Sequence, residues 1–346
     1  MYQRVKAGVP FFEKSGAGMS HLSPITLDDE LGWRATEQYR EDAIVKTARG
    51  KTYEISRSQD EHGFRMFGDV HSQKMKILAI GDSFTQAVHA SDGKPYYAVL
   101  KKTLDAEVFA YGAGGYGTLQ EYMILDRYVD LIKPDLVLWE YCSNDFINNE
   151  PALERASRFN NNGMRRPYWI DGKIQMILPA GSWERTREFA NRHSRFMYFL
   201  LSRMDRLRAR FASDSVETDI ERQLFDHPGF RHAIQITDEL MGRVRARAGA
   251  IPILAFSCDG RSPYTEAFQS ISTHHDIRFL NAGTMVREAK DRGEDVLDED
   301  QGHWNEDGHR LVGELFAGYI KATPMLFARH SIARHEPPHS DSMTSE

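Results

Sequence analysis

Five short apolar runs organise the chain: Lys76 to Ile80, Glu107 to Tyr111, Asp135 to Tyr141, Ile251 to Cys258 and Ile277 to Leu280. Each has strand length and is partly β-branched or aromatic, and four of them continue into Gly, Asp or Asn, the residues of turns. Between them apolar residues recur three or four apart, as at Tyr96, Leu100 and Leu104 or at Tyr122, Leu125, Val129 and Ile132. That is the spacing of a helix with one buried face. Thr118-Leu-Gln-Glu121 reads as a capping box that opens the second of these helices. Strand alternating with helix predicts an α/β fold: an open parallel sheet of about five strands in three layers, with helices on both faces.

The rest of the chain decorates that core. With 346 residues it exceeds the usual single domain, and it divides into an N-terminal extension (1–75), a core (76–322) and a tail (323–346). The gap of about a hundred residues between the third and fourth strands is too long for a crossover, so 150–228 is an insertion. Within it, Tyr168-Trp-Ile-Asp-Gly-Lys-Ile-Gln-Met-Ile177 predicts a hairpin turning at Asp171-Gly172. Phe196, Leu200, Met204, Leu207 and Phe211 form a helical stripe beside Arg195, Arg203, Arg206, Arg208 and Arg210. Such a helix either lies on a membrane or an acidic polymer or caps the core with a solvated arginine face. Asp28 to Phe67 reads as a small β-rich preface with a hairpin around Arg49-Gly50. After Thr323 the composition turns to His, Pro, Ser and Glu without apolar period, the mark of a disordered tail. Its His330, His335 and His339 have no spacing that defines a metal site.

Composition narrows the function. Hydrophobic residues at 41% and charged residues at 27% describe a soluble globular protein. The 44 basic and 50 acidic residues, net −6, argue against a general nucleic-acid binder. No apolar stretch is long enough to span a membrane, and Met1 to Ser20 lacks the apolar core of a signal peptide. The chain as given therefore reads as soluble and cytoplasmic by default. Cys142 and Cys258, the only cysteines, are expected as plain buried thiols, with neither a disulfide framework nor a thiolate metal site.

The candidate chemistry lies where strands end, the edge at which open α/β sheets bind ligands. Gly81-Asp82-Ser83-Phe84 follows the first strand and sets a serine there. A serine nucleophile needs a base oriented by a carboxylate. Among fourteen histidines, His303 stands apart in Asp300-Gln-Gly-His303-Trp-Asn305-Glu-Asp-Gly-His309, with an acid three residues before it and Asn305 placed to cap a helix. That loop is read as leaving the last strand. His303 and His309 as metal ligands lack a third partner at helical spacing. Oxyanion donors are available from Gly112-Ala-Gly-Gly-Tyr-Gly117 after the second strand and Ser143-Asn144-Asp145 after the third. The glycine segment also fits Gly-x-Gly-x-x-Gly, but it follows the wrong strand and no acid closes the next one, so a dinucleotide is not expected.

Together these segments resemble the SGNH hydrolases, the GDSL-type esterase family, through Gly81-Asp82-Ser83, Gly115, Asn144-Asp145 and Asp300-x-x-His303. The resemblance implies a flavodoxin-like SGNH fold and a serine esterase of short acyl, above all acetyl, esters on a carbohydrate or small alcohol, without cofactor. It implies Ser83 as nucleophile, His303 as base, Asp300 as its orienting acid, and Ser83, Gly115 and Asn144 as the oxyanion hole, with Asp82, Asp145 and Trp304 in support. The same groups would serve an O-acyltransferase acting on a polysaccharide, or be retained in a non-catalytic carbohydrate-binding protein. Relatives with such a preface are frequently exported or held in the bacterial envelope. Cys142 in place of glycine, Trp304 in place of proline, and Ala110-Tyr111-Gly112 before the glycine block depart from the family pattern and alter the walls of the site.

Overall fold

The computed structural model describes residues 23–157, 159–179 and 215–324. The arginine-rich stripe from Arg195 to Phe211 and all but the first two residues of the tail lie outside the described residues. The elements that position the site begin with strands β1 (Ile25–Asp28), β2 (Gly32–Ala35), β3 (Arg40–Lys46), β4 (Thr52–Ser58) and β5 (Lys76–Gly81). Helices α1 (Ser83–Gln86) and α2 (Tyr96–Leu104), strand β6 (Glu107–Gly112), helix α3 (Thr118–Ile132), strand β7 (Leu136–Tyr141) and helices α4 (Asn144–Asn149) and α5 (Pro151–Ala156) follow. Next come β8 (Arg166–Ile170), β9 (Lys173–Ile177), α6 (Val216–Gln223) and α7 (Pro228–Ala248). The chain then runs through β10 (Ile253–Ser257), α8 (Tyr264–His274), β11 (Arg278–Leu280), α9 (Ala282–Asp291) and α10 (Glu306–Ala322).

The central sheet has the order β11-β10-β7-β5-β6, and its pairings are all parallel. The chain runs from β5 out to β6, then back across to β7, so the switch in direction opens a crevice beyond the carboxyl ends of β5 and β7. Every residue of β5 and β7 is buried, because helices cover both faces. Leu78, Ile80, Val137 and Trp139 face one layer with Ile124 and Leu125 of α3 and Met241 and Val244 of α7. Ile77, Ala79, Leu136 and Leu138 face the other with Leu100 of α2, Val286 of α9, and Val312 and Phe316 of α10.

The flanking segments are built onto this sheet. Trp33 and Phe64 join its first core layer, and Met66 bridges to Ala110 of β6. The β3–β4 hairpin lies on the loop that carries Asp300: Ala48 N donates to Leu297 O and Glu299 N to Lys46 O, both at 2.9 Å. In the insertion, β8 and β9 pair antiparallel around Asp171-Gly172, whose φ values of +49° and +76° suit a tight hairpin turn.

Three local readings are corrected. Helix α3 begins at Thr118 with Gly117 as its cap, so Thr118 is not the capping residue; instead the Gln120 side chain accepts from Gly117 N at 3.3 Å. The His303 loop follows α9 and not β11, since a helix of ten residues intervenes. Cys142 and Cys258 are not thiols but a disulfide, with Cα atoms 5.3 Å apart. The register Tyr141↔Ser257 between neighbouring strands sets the next residue of each side by side, a lateral relation that a separation of 116 residues does not reveal.

Candidate active site

Ser83 opens α1, a single turn leaving β5. Asp82 caps that turn, its Oδ1 accepting from Phe84 N at 3.2 Å. The turn nests against the end of β6 because residue 112 is glycine: a Cβ there would lie 2.3 Å from Gln86 N and 2.7 Å from Asp82 O. Ser83 Oγ is 2.8 Å from His303 Nε2 and 3.2 Å from Asp82 Oδ1. His303 Nδ1 is in turn 2.5 Å from Asp300 Oδ2.

His303 and Asp300 sit on one self-organised loop. Asp300 Oδ1 accepts from Gly302 N at 2.8 Å and His303 N at 2.9 Å, which fixes the carboxylate against the imidazole. The loop is anchored by Trp304, 2% exposed, whose ring meets Phe84 edge-on at 4.7 Å. Asn305 caps α10 through Asp307 N and Gly308 N at 3.0 and 3.1 Å, and its Nδ2 donates to Asp295 O and Leu297 O. The His303 ring also lies 4.9 Å from that of Phe84.

The electrostatics follow from this pairing. Burial pushes Asp300 up, but hydrogen bonds and charge from His303, with the loop N–H groups, outweigh it and hold the carboxyl below its usual range. Burial likewise pushes His303 down, and Asp300 outweighs it, so the imidazole titrates above its ordinary value. Behind the serine lie four buried acids, Asp82, Glu121, Glu140 and Asp145. Burial first, and then the neighbouring acids, hold Glu121, Glu140 and Asp145 well above the carboxyl range.

The remaining expected residues are distributed unequally. A Cβ on Gly114 would lie 3.8 Å from Ser83 Cβ, so the glycine segment borders Ser83. Gly115 adopts φ +76°, and a Cβ there would lie 2.3 Å from Asn162 Nδ2. Among the described residues the N–H groups of Ser83 and Gly115 have no acceptor. The Asn144 amide reaches Asp82 Oδ2 at 3.2 Å, Asn148 Oδ1 at 3.1 Å and Tyr116 O at 3.3 Å, so its two hydrogens face three internal acceptors. Asp145 is not brought to the serine: it holds the turn after β7, accepting from Cys142 N at 3.4 Å.

His309 is buried in the core with its ring 6.2 Å from that of Tyr96, and burial pushes it down to about 3. His89, which sequence reasoning passed over, borders the site instead, its ring 5.7 Å from that of His303 and its Nδ1 2.9 Å from Asp298 Oδ2. Donor atoms of His89, Asp300 and His303 lie within 4.8 Å of one another, a set able to hold a metal ion. The signal for His89 was faint: a histidine three residues past the helix that Ser83 opens, with a carboxylate two residues before Asp300. A serine hydrogen-bonded to an imidazole that is itself paired with a carboxylate can perform nucleophilic acyl transfer.

The model of the GDSL-like lipase/acylhydrolase family matches residues 79–311. Similar solved structures include a lipase/acylhydrolase from Enterococcus faecalis, 15% identical, covering 72% of this chain and 96% of its own, with a TM-score of 0.40. Another is an acetylxylan esterase from Geobacillus stearothermophilus, solved as a catalytic mutant, 14% identical, covering 72% and 94%, also at 0.40. A comparison with curated proteins gives no significant match.

Proposed function

The chain belongs to the GDSL-like lipase/acylhydrolase family, and on that premise we propose that it is a serine esterase of short acyl esters, acetyl esters of a carbohydrate or small alcohol foremost, working through a Ser83 acyl-enzyme. The observation that carries the reading is the continuous chain from Ser83 Oγ to His303 Nε2 at 2.8 Å and from His303 Nδ1 to Asp300 Oδ2 at 2.5 Å. Ser83 Oγ attacks the ester carbonyl carbon as its proton passes to His303 Nε2. Asp300 holds Nδ1–H and stabilises the imidazolium. The carbonyl oxygen becomes an oxyanion met by the Ser83 and Gly115 N–H groups and, once it exchanges one internal acceptor, by the Asn144 amide. The C–O bond then breaks, and the alcohol leaves with the proton from His303. Water, deprotonated by the same imidazole, attacks the acyl-enzyme and releases the acid. No cofactor enters these steps.

An acyl group entering beside the serine would meet Phe84, Ala87, Val88, His89, His303 and Trp304. Delivery of the acyl group to a sugar hydroxyl in place of water would make the same site an acyltransferase, and the exposed Asn162 amide beside Gly115 offers a polar contact to such an acceptor. An ester panel from acetyl to octanoyl, with sugar acetates included, run on wild type beside Ser83→Ala, tests the proposal. Turnover falling with chain length and abolished in Ser83→Ala is expected; equal turnover in the variant refutes it. Acyl release that rises with added sugar would favour transfer. Binding of sugar acetates without turnover in wild type would favour the non-catalytic reading.

A further inference from the structure

Two buried side chains from outside the strand–helix core grip the glycine segment beside Ser83. Trp33 on β2, with no exposed surface, donates Nε1–H to Gly114 O at 3.1 Å, and its own carbonyl accepts from Tyr116 OH at 2.8 Å. Arg166 on β8, with a side chain 1% exposed, donates through Nη2 to Gly115 O at 2.8 Å and through Nη1 to Gln120 Oε1 at 3.0 Å. Its guanidinium carbon lies 4.8 Å from the Trp33 ring centroid, and its Nε is 2.8 Å from the carboxylate of fully buried Glu154. Gln86, one turn after the serine, accepts from Gly114 N at 3.0 Å.

The carbonyls on both sides of Gly115 are therefore tied. A trans peptide points its N–H opposite to its C=O, so the Trp33 bond to Gly114 O sets the direction of the Gly115 N–H. The Arg166 bond to Gly115 O holds the other side of the same residue, at a φ of +76° that glycine would otherwise leave readily. Burying an arginine is costly unless its charge is matched; here the Glu154 carboxylate matches the charge, and Gln120 Oε1 and Gly115 O accept from Nη1 and Nη2.

From this the structure assigns Trp33 and Arg166 as positioning residues that aim the Gly115 N–H, an assignment that rests on reading that N–H as an oxyanion donor. Neither touches the reacting atoms. The segment before the sheet supplies one and the insertion between β7 and β10 the other, so both additions to the core meet at one peptide. A donor aimed in advance costs no reorganisation when charge develops on the substrate.

Trp33→Phe keeps a ring against the guanidinium and removes only the N–H donor. Arg166→Met combined with Glu154→Gln removes the pair together, leaving no unmatched buried charge. Active sites are counted with a fluorophosphonate, then kcat and KM are measured on 4-nitrophenyl acetate, with inhibition by a small alkylboronic acid whose serine adduct carries a tetrahedral anion. We expect kcat per active site to fall about tenfold in each variant, part of the 10²- to 10³-fold worth of one donor. Boronate affinity should fall by the same factor while KM stays within about twofold. A lower melting temperature and fewer titratable sites with unchanged kcat per site and boronate affinity would mean a structural role only, and would overturn the assignment. An inactive Ser83→Ala beside a Trp33→Phe of wild-type kcat overturns the positioning role alone, whereas an active Ser83→Ala overturns it together with the reading beneath it.

Discussion

Replacing Asp300 by asparagine should damage the enzyme more than replacing it by alanine, and the loop geometry says why. Asp300 Oδ1 accepts two backbone N–H groups, from Gly302 and His303, and an asparagine keeps both bonds only with its amide oxygen on that side. Its Nδ2 then falls where Oδ2 stood, 2.5 Å from His303 Nδ1. A donor there forces the imidazole to accept at Nδ1 and carry its proton on Nε2, facing Ser83, so that the base has no lone pair to offer. Flipping the amide to restore the productive tautomer breaks two hydrogen bonds, about 2 kcal/mol together. Loss of the charge-assisted bond to the imidazolium adds about 1.5–3 kcal/mol, reduced because the Asp300 side chain is 44% exposed. A total of about 4 kcal/mol corresponds to roughly 10³-fold in kcat/KM. Alanine enforces no tautomer and lets water reach Nδ1, so a loss of about 10²-fold is expected. The assay is kcat/KM on a short acyl ester from about pH 5 to 9. Since the free base is the unprotonated imidazole, activity rises with pH through the His303 pKa. Asp300 is what raises that pKa against burial, so the rise lies above the ordinary 6.5 in wild type and moves down in both variants. An asparagine variant within threefold of wild type, or one whose pH limb does not move, would refute the role of Asp300.

Two further outcomes follow from the same region. Asn144→Ala should lower kcat on the order of 10²-fold with little change in KM, measured by steady-state kinetics on the same ester; wild-type kcat would remove Asn144 from the oxyanion hole. Glu140 keeps its proton in the folded protein far above the 4.5 at which it ionises when exposed. Stability from that group is thus full below about 4.5 and declines, by about 1.4 kcal/mol per pH unit, as pH rises toward the folded pKa. Glu140→Gln should flatten that slope in urea unfolding at pH 5.5 and 7.5, and an unchanged slope would show that Glu140 is ionised in the fold.

How much of this was legible depended on whether a feature is local. Strands β5, β6, β7, β10 and β11 announced themselves because buried strands are short apolar runs, and the Asp300–His303 pair because four consecutive residues of a loop carry it. Asn305 as the cap of α10 was equally local. The pairing of Cys142 with Cys258 depends on lateral strand register, and the burial of Glu121, Glu140 and Asp145 together depends on how α3, β7 and α4 converge. Trp33 and Arg166 are separated from Gly115 by long stretches of chain, and nothing in their immediate sequence marks them. His89 was hidden for the same reason: its partner Asp298 lies some two hundred residues away.

The capping of α10 by Asn305 ties His303 to the last of the described helices. Helix α10 packs against α2, where a Cβ on Gly313 would meet Val99 Cβ at 2.6 Å, and its first turn is continuous with the His303 loop. If this helix detaches as a unit, the imidazole and its carboxylate leave together while the parallel sheet and Ser83 stay in place. Inactivation on warming would then be a partial, reversible event that precedes melting of the sheet, and amide exchange in α10 would track the loss of turnover.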